Sequence, residues 1–372
     1  MMQKLYDTKE KPKKAFLVSI FKGNASDEPR AAELLGLCKT LELEIVAHEK
    51  IKVREKTPRY GMGSGKAEEL AKKAQELNAD LMVFDFNPNP SQQRNWEEIA
   101  GIPVLDRQEI IIKIFADRAS TREAELQVKL AELMYFLPRL AHKYIDLSRQ
   151  RGGRYGTKGA GETKLETDRR KIEKRINQLE KEIEQVRKQR QLKRHQRERS
   201  GVPVCAIVGY TNSGKSSLLN ALTGTDAVLA EDKLFATLDA VTRRFYAAEG
   251  TEVLLTDTVG FIRDLPHSLI RAFRSTLEEA SLADIIIHVL DASEPDIESN
   301  CETTIGVLCE ISKNAQITQE RPMITVLNKI DKIDAQTLEQ LQTRFPESIA
   351  VSATEKQGFE TLREKIVQII LS

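Results

Sequence analysis

The apolar positions of this chain recur with different periods, and each period marks off its own stretch. In the N-terminal part, strand-like runs at Ala15 to Phe21, Glu44 to Val53, Leu81 to Phe86 and Ile102 to Leu105 alternate with helical patterns near Arg30 to Thr40, Lys66 to Leu77 and Gln92 to Ala100. Such alternation predicts a small parallel sheet flanked by helices. Next, Leu126, Leu130, Leu133, Leu137 and Leu140 follow at steps of four and three, as do Ile172, Ile176, Leu179, Ile183 and Val186 beyond a glycine-rich stretch. Two seams of this kind predict helices zipped antiparallel. The C-terminal part returns to buried runs at Val204 to Val208, Val253 to Thr256, Ile285 to Leu290, Met323 to Leu327 and Ile349 to Val351. The expected fold is α/β: a small parallel-sheet N-terminal subdomain over residues 1–117, an antiparallel helical hairpin (coiled coil) over 118–200, and a C-terminal domain on an open sheet over 201–372.

Polar motifs follow the C-terminal strands, where ligands of open sheets sit. Gly209-Tyr210-Thr211-Asn212-Ser213-Gly214-Lys215-Ser216 fits the phosphate-loop pattern between a strand-like run and the helix-forming Leu218 to Leu222. A loop of this kind aims backbone N–H groups and a helix dipole at an anion, so a nucleotide phosphate belongs there. Lys215 reaches the β- and γ-phosphates, and the Ser216 hydroxyl can ligate Mg2+. Asp257-Thr258-Val259-Gly260 offers a carboxylate to the hydration shell of that ion and the Gly260 N–H to a γ-phosphate oxygen. Asn328-Lys329-Ile330-Asp331 chooses the base: the Asp331 carboxylate accepts two hydrogens from the guanine edge, which adenine cannot offer. Ser352-Ala353 falls where such enzymes present a backbone N–H to guanine O6.

A switch must lie between the phosphate loop and Asp257. Leu234-Phe235-Ala236-Thr237-Leu238 supplies it, with Thr237 as the candidate Mg2+ ligand in the GTP state and Thr242 as a rival. The motifs together predict a P-loop GTPase domain that resembles those of the translation-factor class, with Lys215, Thr237, Gly260 and Asn212 as catalytic candidates. Phe261 occupies the place of the glutamine that orients water in Ras-like enzymes, so hydrolysis without a partner should be slow. Asn212 resembles the asparagine of potassium-stimulated GTPases, which makes K+ a candidate cofactor. A turn-capping asparagine is the bland alternative.

Charge changes the picture of the middle segment. The 372-residue chain has a net charge of +1, yet residues 148–200 carry 18 Lys and Arg against 8 Asp and Glu. A basic arm on an otherwise acidic protein points to a polyanionic partner, with a solvated charged helix as the alternative. The glycine-rich stretch from Arg149 to Gly161 holds Arg149, Arg151, Arg154 and Lys158 around Tyr155. Cations for phosphates and an aromatic ring for a splayed base make these five the candidate RNA contacts, against an ordinary flexible loop. Gly61-Met62-Gly63-Ser64-Gly65-Lys66 invites a second phosphate-loop reading but lacks the leading glycine, leaving a tight turn into a helix as the alternative. Cys38, Cys205, Cys301 and Cys309 show no zinc spacing, and no apolar stretch reaches membrane-spanning length. The expectation is a soluble, cytoplasmic monomer.

The run Leu147-Ser148-Arg149 through Gly152-Gly153 to Gly161-Glu162-Thr163-Lys164-Leu165-Glu166-Thr167-Asp168-Arg169-Arg170 carries a more specific likeness. With Phe235-Ala236-Thr237-Leu238-Asp239 and Asp257 to His267, it resembles the HflX family of ribosome-associated GTPases over nearly the whole chain. That resemblance implies binding of GTP and GDP, Mg2+ ligation by Ser216 and Thr237, and association with the large ribosomal subunit and its RNA. It also implies splitting or rescue of ribosomes, with the hairpin near the peptidyl transferase centre. Arg151 and Ala160 depart from the commoner pattern, in which glycine and proline are usual. Any further C-terminal domain of some relatives is expected to be absent. A nucleotide-dependent RNA remodeller, or a ribosome-binding factor whose hydrolysis serves only release, is the alternative reading.

Overall fold

The computed structural model describes residues 12–21, 23–24, 27–53, 55–140, 158–198, 201–224, 233–238, 241–248, 250–264, 267–273, 282–314 and 321–371. The chain forms two compact units, one of residues 1–114 with 141–153 and one of 115–140 with 154–372.

In the first unit, strands β1 (Lys14–Phe21), β2 (Glu44–Lys52), β3 (Leu81–Phe84) and β4 (Val104–Asp106) form a parallel sheet in the order β2-β1-β3-β4. Helices α1 (Asp27–Thr40), α2 (Ser64–Glu76) and α3 (Pro90–Ala100) connect them. Parallel strands read as continuous apolar runs because helices cover both faces, and β1 is buried at all its interior positions. α3 starts where the sequence dictates: the Asn89 side chain accepts from Gln92 N, the Gln92 side chain accepts from Asn89 N, and Pro90 stands at the first turn. Phe84, Tyr60 and Trp96 pack ring to ring in the core, with Trp96 Nε1 donating to the Tyr60 carbonyl at 3.0 Å. The Gly61 to Lys66 stretch is thereby a packed turn: Tyr60 and Met62 are buried, and Lys66 pairs with Glu69 at 2.8 Å.

α4 (Arg107–Arg118) continues the chain into the second unit, where α5 (Arg122–Phe136) packs against the long α6 (Lys158–Glu198). The seam is the expected one at Leu126, Leu130, Ile176 and Leu179, all buried. Arg122 and Glu123 at the start of α5 reach Glu182 at 3.3 Å and Arg190 at 2.7 Å, late in α6. The first seam does not run on as α-helix through Leu137: residues Leu137–Arg139 tighten into a 3-10 turn. Pro138, which the heptad spacing ignores, has no N–H and crowds the carbonyl four residues back. Among the described residues, no helix is long and apolar enough to cross a membrane.

The second sheet holds β5 (Val204–Gly209), β6 (Val241–Ala248), β7 (Thr251–Asp257), β8 (Ile285–Asp291), β9 (Met323–Asn328) and β10 (Ile349–Ala350) in the order β10-β9-β8-β5-β7-β6. α7 (Lys215–Thr223), α8 (His267–Ala272), α9 (Ile297–Asn314), α10 (Ala335–Arg344) and α11 (Phe359–Leu371) accompany it. Its core interleaves Ile207, Val289 and Val326 from strands with Leu218, Leu222, Leu362 and Ile366 from helices. β6 is antiparallel to β7 and falls outside the strands expected from the apolar runs. Only Phe245 and Ala247 of this edge strand are buried, too little alternation to announce it.

Candidate active site

The phosphate loop and the motifs at Asp257–Gly260, Asn328–Asp331 and Ser352–Ala353 lie at the carboxyl ends of β5, β7, β9 and β10, and residues 234–238 precede β6. β5 ends in Gly209, and the loop turns into α7 through Gly214, which has φ +87°. A Cβ there would collide with Asn328 Nδ2, so glycine answers two demands at once: left-handed backbone and the close approach of the loop after β9. Gly260 is equally confined, since a Cβ would stand 2.7 Å from Thr211 Cα and 3.0 Å from Lys215 Nζ. Its N–H can therefore approach whatever sits over the phosphate loop.

Lys215 is buried, and its Nζ donates to the Tyr210 carbonyl at 2.7 Å. Burial lowers its pKa to about 8 against the opposing pull of the Asp257 charge, with Lys329 pushing the same way as burial. A cation stripped of water in this way gains most from an arriving anion. Three oxygens meet beside it: Ser216 Oγ donates to Asp257 Oδ2 at 2.6 Å and lies 2.8 Å from Thr237 Oγ1. Burial raises the Asp257 pKa, while Lys215, Ser216 and Thr237 hold it down, and its Oδ1 is buried without a hydrogen-bond partner among the described residues. Two hydroxyls and a carboxylate with an orphaned oxygen fit a hard, oxygen-seeking divalent cation such as Mg2+. The rival threonine is elsewhere, since Thr242 Oγ1 pairs with Thr256 Oγ1 at 3.0 Å across β6 and β7.

Thr237 is held in place by its neighbours. Phe235 adopts φ +56°, donates its N–H to Thr211 Oγ1 at 3.0 Å, and sets its ring edge-on to Phe115 at 4.7 Å. Phe115 meets Phe273, just beyond α8, at 4.8 Å. Phe235, Ala236 and Thr237 line the phosphate pocket together with Asn212 and Gly260. Leu234 and Leu238, grouped with them from the sequence, do not line it, and Leu238 is buried in the core. Thr258 Oγ1 donates to the Ile207 carbonyl, and Val259 is buried, so both side chains fasten the loop.

Phe261 is 1 % exposed, and its backbone bridges the phosphate loop: its N–H donates to the Gly209 carbonyl at 3.1 Å, and its carbonyl accepts from Thr211 N at 2.7 Å. Its ring is spent on packing rather than on water. Arg263 N donates to the Tyr210 hydroxyl at 2.9 Å, and the Arg263 side chain reaches Asn300 of α9 at 2.9 Å. His288 sits inside an apolar strand, where the sequence pattern gives no sign of a role for it. It is buried on β8, and burial, aided by the Lys215 charge, lowers its pKa to about 4.

On the base side, Asn328 Nδ2 donates to the Ser213 carbonyl at 2.9 Å and Asn328 Oδ1 accepts from Ala353 N at 3.1 Å. Lys329 bridges Asp291 at 2.6 Å and the Asn212 carbonyl at 2.8 Å, while Asp331 Oδ1 accepts from Ser352 Oγ at 2.5 Å. Asn328 thus ties three motifs into a single floor. The expected RNA contacts Arg149, Arg151, Arg154 and Tyr155 lie outside the described residues, as does the side chain of Lys158.

Comparison with known proteins agrees with this geometry. Residues 28–116 match a family described as GTP-binding GTPase N-terminal, 118–197 its Middle Region, and 204–329 one described as 50S ribosome-binding GTPase. The GTPase HflX of Treponema denticola is 44% identical over 394 residues, covering 99% of both chains, and that of Escherichia coli is 38% identical, covering 97% of this chain and 85% of its own. The solved complex of SsGBP with GDP shares 25% identity at a TM-score of 0.51, covering 97% of this chain and 99% of the other. A phosphate loop, a guanine-type floor and a switch threonine at one sheet edge, with relatives matched nearly end to end, make this chain a GTP-hydrolysing member of the HflX family of GTPases.

Proposed function

We propose that this GTPase acts on the large ribosomal subunit, gripping it in the GTP state and letting go after hydrolysis, and that its task is to split or rescue ribosomes. The observation that carries this reading is the pairing of a threonine, Thr237, whose hydroxyl meets Ser216 of the phosphate loop, with a basic segment of 18 Lys and Arg against 8 Asp and Glu on the same chain. The match of residues 204–329 to a family described as 50S ribosome-binding supports it. Asp331 reads guanine, with Asn328, Lys329, Ser352 and Ala353 shaping the base site. Ser216 and Thr237 would hold Mg2+ with Asp257 beside them, and the ion would supply positive charge to the phosphates. Lys215 and the Gly260 N–H bind the β- and γ-phosphates, and ordering of residues 234–238 and 257–263 reports the γ-phosphate. Asn212, at φ +61° in the phosphate loop, would hold K+, which would add positive charge there. Arg149, Arg151, Arg154, Tyr155 and Lys158 contact ribosomal RNA. The protein works as a cytoplasmic monomer.

Sedimentation of ribosomes with the protein and GTP, GDP or a non-hydrolysable GTP analogue tests this. Large-subunit binding with the analogue, loss of binding with GDP, and faster GTP turnover on added subunits are expected. Equal co-sedimentation in all three nucleotide states would remove the switch from ribosome binding.

A further inference from the structure

Breaking the bond to the γ-phosphate leaves charge on the oxygen that bridged it to GDP, and a cation held near that oxygen stabilises it. Among the described residues, the walls of the phosphate pocket carry two charged side chains, Lys215 and Lys233. Lys215 belongs to the phosphate loop itself. Lys233 stands outside that loop, at the head of the switch segment 233–238. That segment is fastened to the phosphate loop twice, through Phe235 N on Thr211 Oγ1 at 3.0 Å and through Thr237 Oγ1 beside Ser216 Oγ at 2.8 Å. Phe235 cannot swing away cheaply, because its ring is 2 % exposed and packed on Phe115. Lys233, two residues upstream, therefore has its backbone held close to the loop while its half-buried, flexible stem lines the pocket.

We propose that Lys233 is a catalytic residue of the GTPase reaction, a cation that the switch segment itself supplies to the phosphates. In that reaction a water oxygen bonds to the γ-phosphorus while the bond from γ-phosphorus to the β–γ bridging oxygen breaks. The electron pair stays on GDP, and both water protons leave on inorganic phosphate, so GTP4− and H2O give GDP3− and H2PO4−. An ammonium near the bridging oxygen meets charge that is greater in the transition state than in bound GTP, so it raises turnover more than affinity. A cation delivered from the enzyme's own switch in place of a partner's arginine is a known solution to phosphoryl transfer. Lysine offers a point charge rather than a bidentate fork, which suits a single oxygen.

The test uses the full chain with Lys233→Met, which keeps the stem and removes the charge, and Lys233→Arg, which keeps the charge. Single-turnover GTP hydrolysis should fall about 20-fold in Lys233→Met, the scale that separates GTPases with and without a built-in cation. Affinities for GDP and for a non-hydrolysable GTP analogue should stay within about threefold, and binding of GDP with aluminium fluoride, which mimics the transition state, should weaken with the rate. Lys233→Arg should keep most of the rate. An unchanged rate in Lys233→Met, or an analogue affinity that falls in step with the rate, would overturn the proposal and leave hydrolysis by this site standing. A wild-type chain that hydrolyses no GTP would overturn both.

Discussion

A carboxylate that pairs with two hydrogens on one base edge tolerates little change. Asp331→Asn exchanges an acceptor for a donor, so preference should move from GTP toward xanthosine triphosphate, whose edge carries an oxygen where guanine carries an amino group. Competition binding of the two nucleotides measures it, and unchanged GTP affinity without a gain for the xanthine nucleotide would take Asp331 out of the base site. His288 makes a residue-scale prediction about pH. Its folded pKa is lowered to about 4, so the neutral ring is the native form and protonation favours the unfolded chain, where the pKa returns to the ordinary 6.5. Its contribution is complete above pH 6.5 and is lost progressively as pH falls toward 4, on the order of 3 kcal/mol in total. Melting temperature followed from pH 7 to 4 should fall more steeply for the wild type than for His288→Gln, and parallel curves would show that the ring is hydrated.

At the scale of elements, Phe115, Phe235 and Phe273 join the residues before α5, the switch before β6 and the end of α8 in one buried aromatic cluster. Edge-to-face pairs are worth about 0.5 to 1.5 kcal/mol each beyond area burial, so Phe115→Leu should loosen the ordered switch by about 1 to 3 kcal/mol. The loss should appear as a smaller ratio of GTP-analogue to GDP affinity if, as proposed, only the γ-phosphate state needs Thr237 in place; a ratio equal to wild type would make the cluster plain core. No spacing in the sequence announces this cluster, because its members are far apart in the chain and each reads as an ordinary apolar residue. The same limit hides β6, whose exposed Arg243, Arg244 and Tyr246 dilute its alternation. What is legible has a local cause: apolar runs for parallel strands, Asn89 and Pro90 for the start of α3, and strand-end motifs whose glycines have no substitute at Gly214 and Gly260. Pro138 is equally legible and shows that periodicity has to be checked against residues that break a helix.

For the molecule as a whole, the decisive quantity is the segregation of charge. Residues 148–200 are strongly basic in a chain whose net charge is only +1, so the rest is acidic and would be repelled by RNA. On the proposed function, binding to a ribosomal subunit runs through that segment, whose glycine-jointed stretch holds Arg149, Arg151, Arg154 and Lys158 around Tyr155 with no acidic residue among them. Cations that neutralise phosphates release counterions, so replacing all four should weaken subunit binding and flatten its salt dependence, by ~0.7 to 0.9 in log–log slope for each phosphate no longer neutralised. Tyr155→Ala should instead cost roughly 1 to 3 kcal/mol, as for a base that loses its aromatic platform, with little change in slope. Both variants should keep wild-type GTP and GDP affinity, because none of these residues belongs to the motifs at the carboxyl ends of β5, β7, β9 and β10. Co-sedimentation with large subunits across a salt series separates the effects. Wild-type binding in both variants would move the RNA-binding surface to the basic stretch between Arg187 and Arg199, where the same salt series on charge-removed variants would find it.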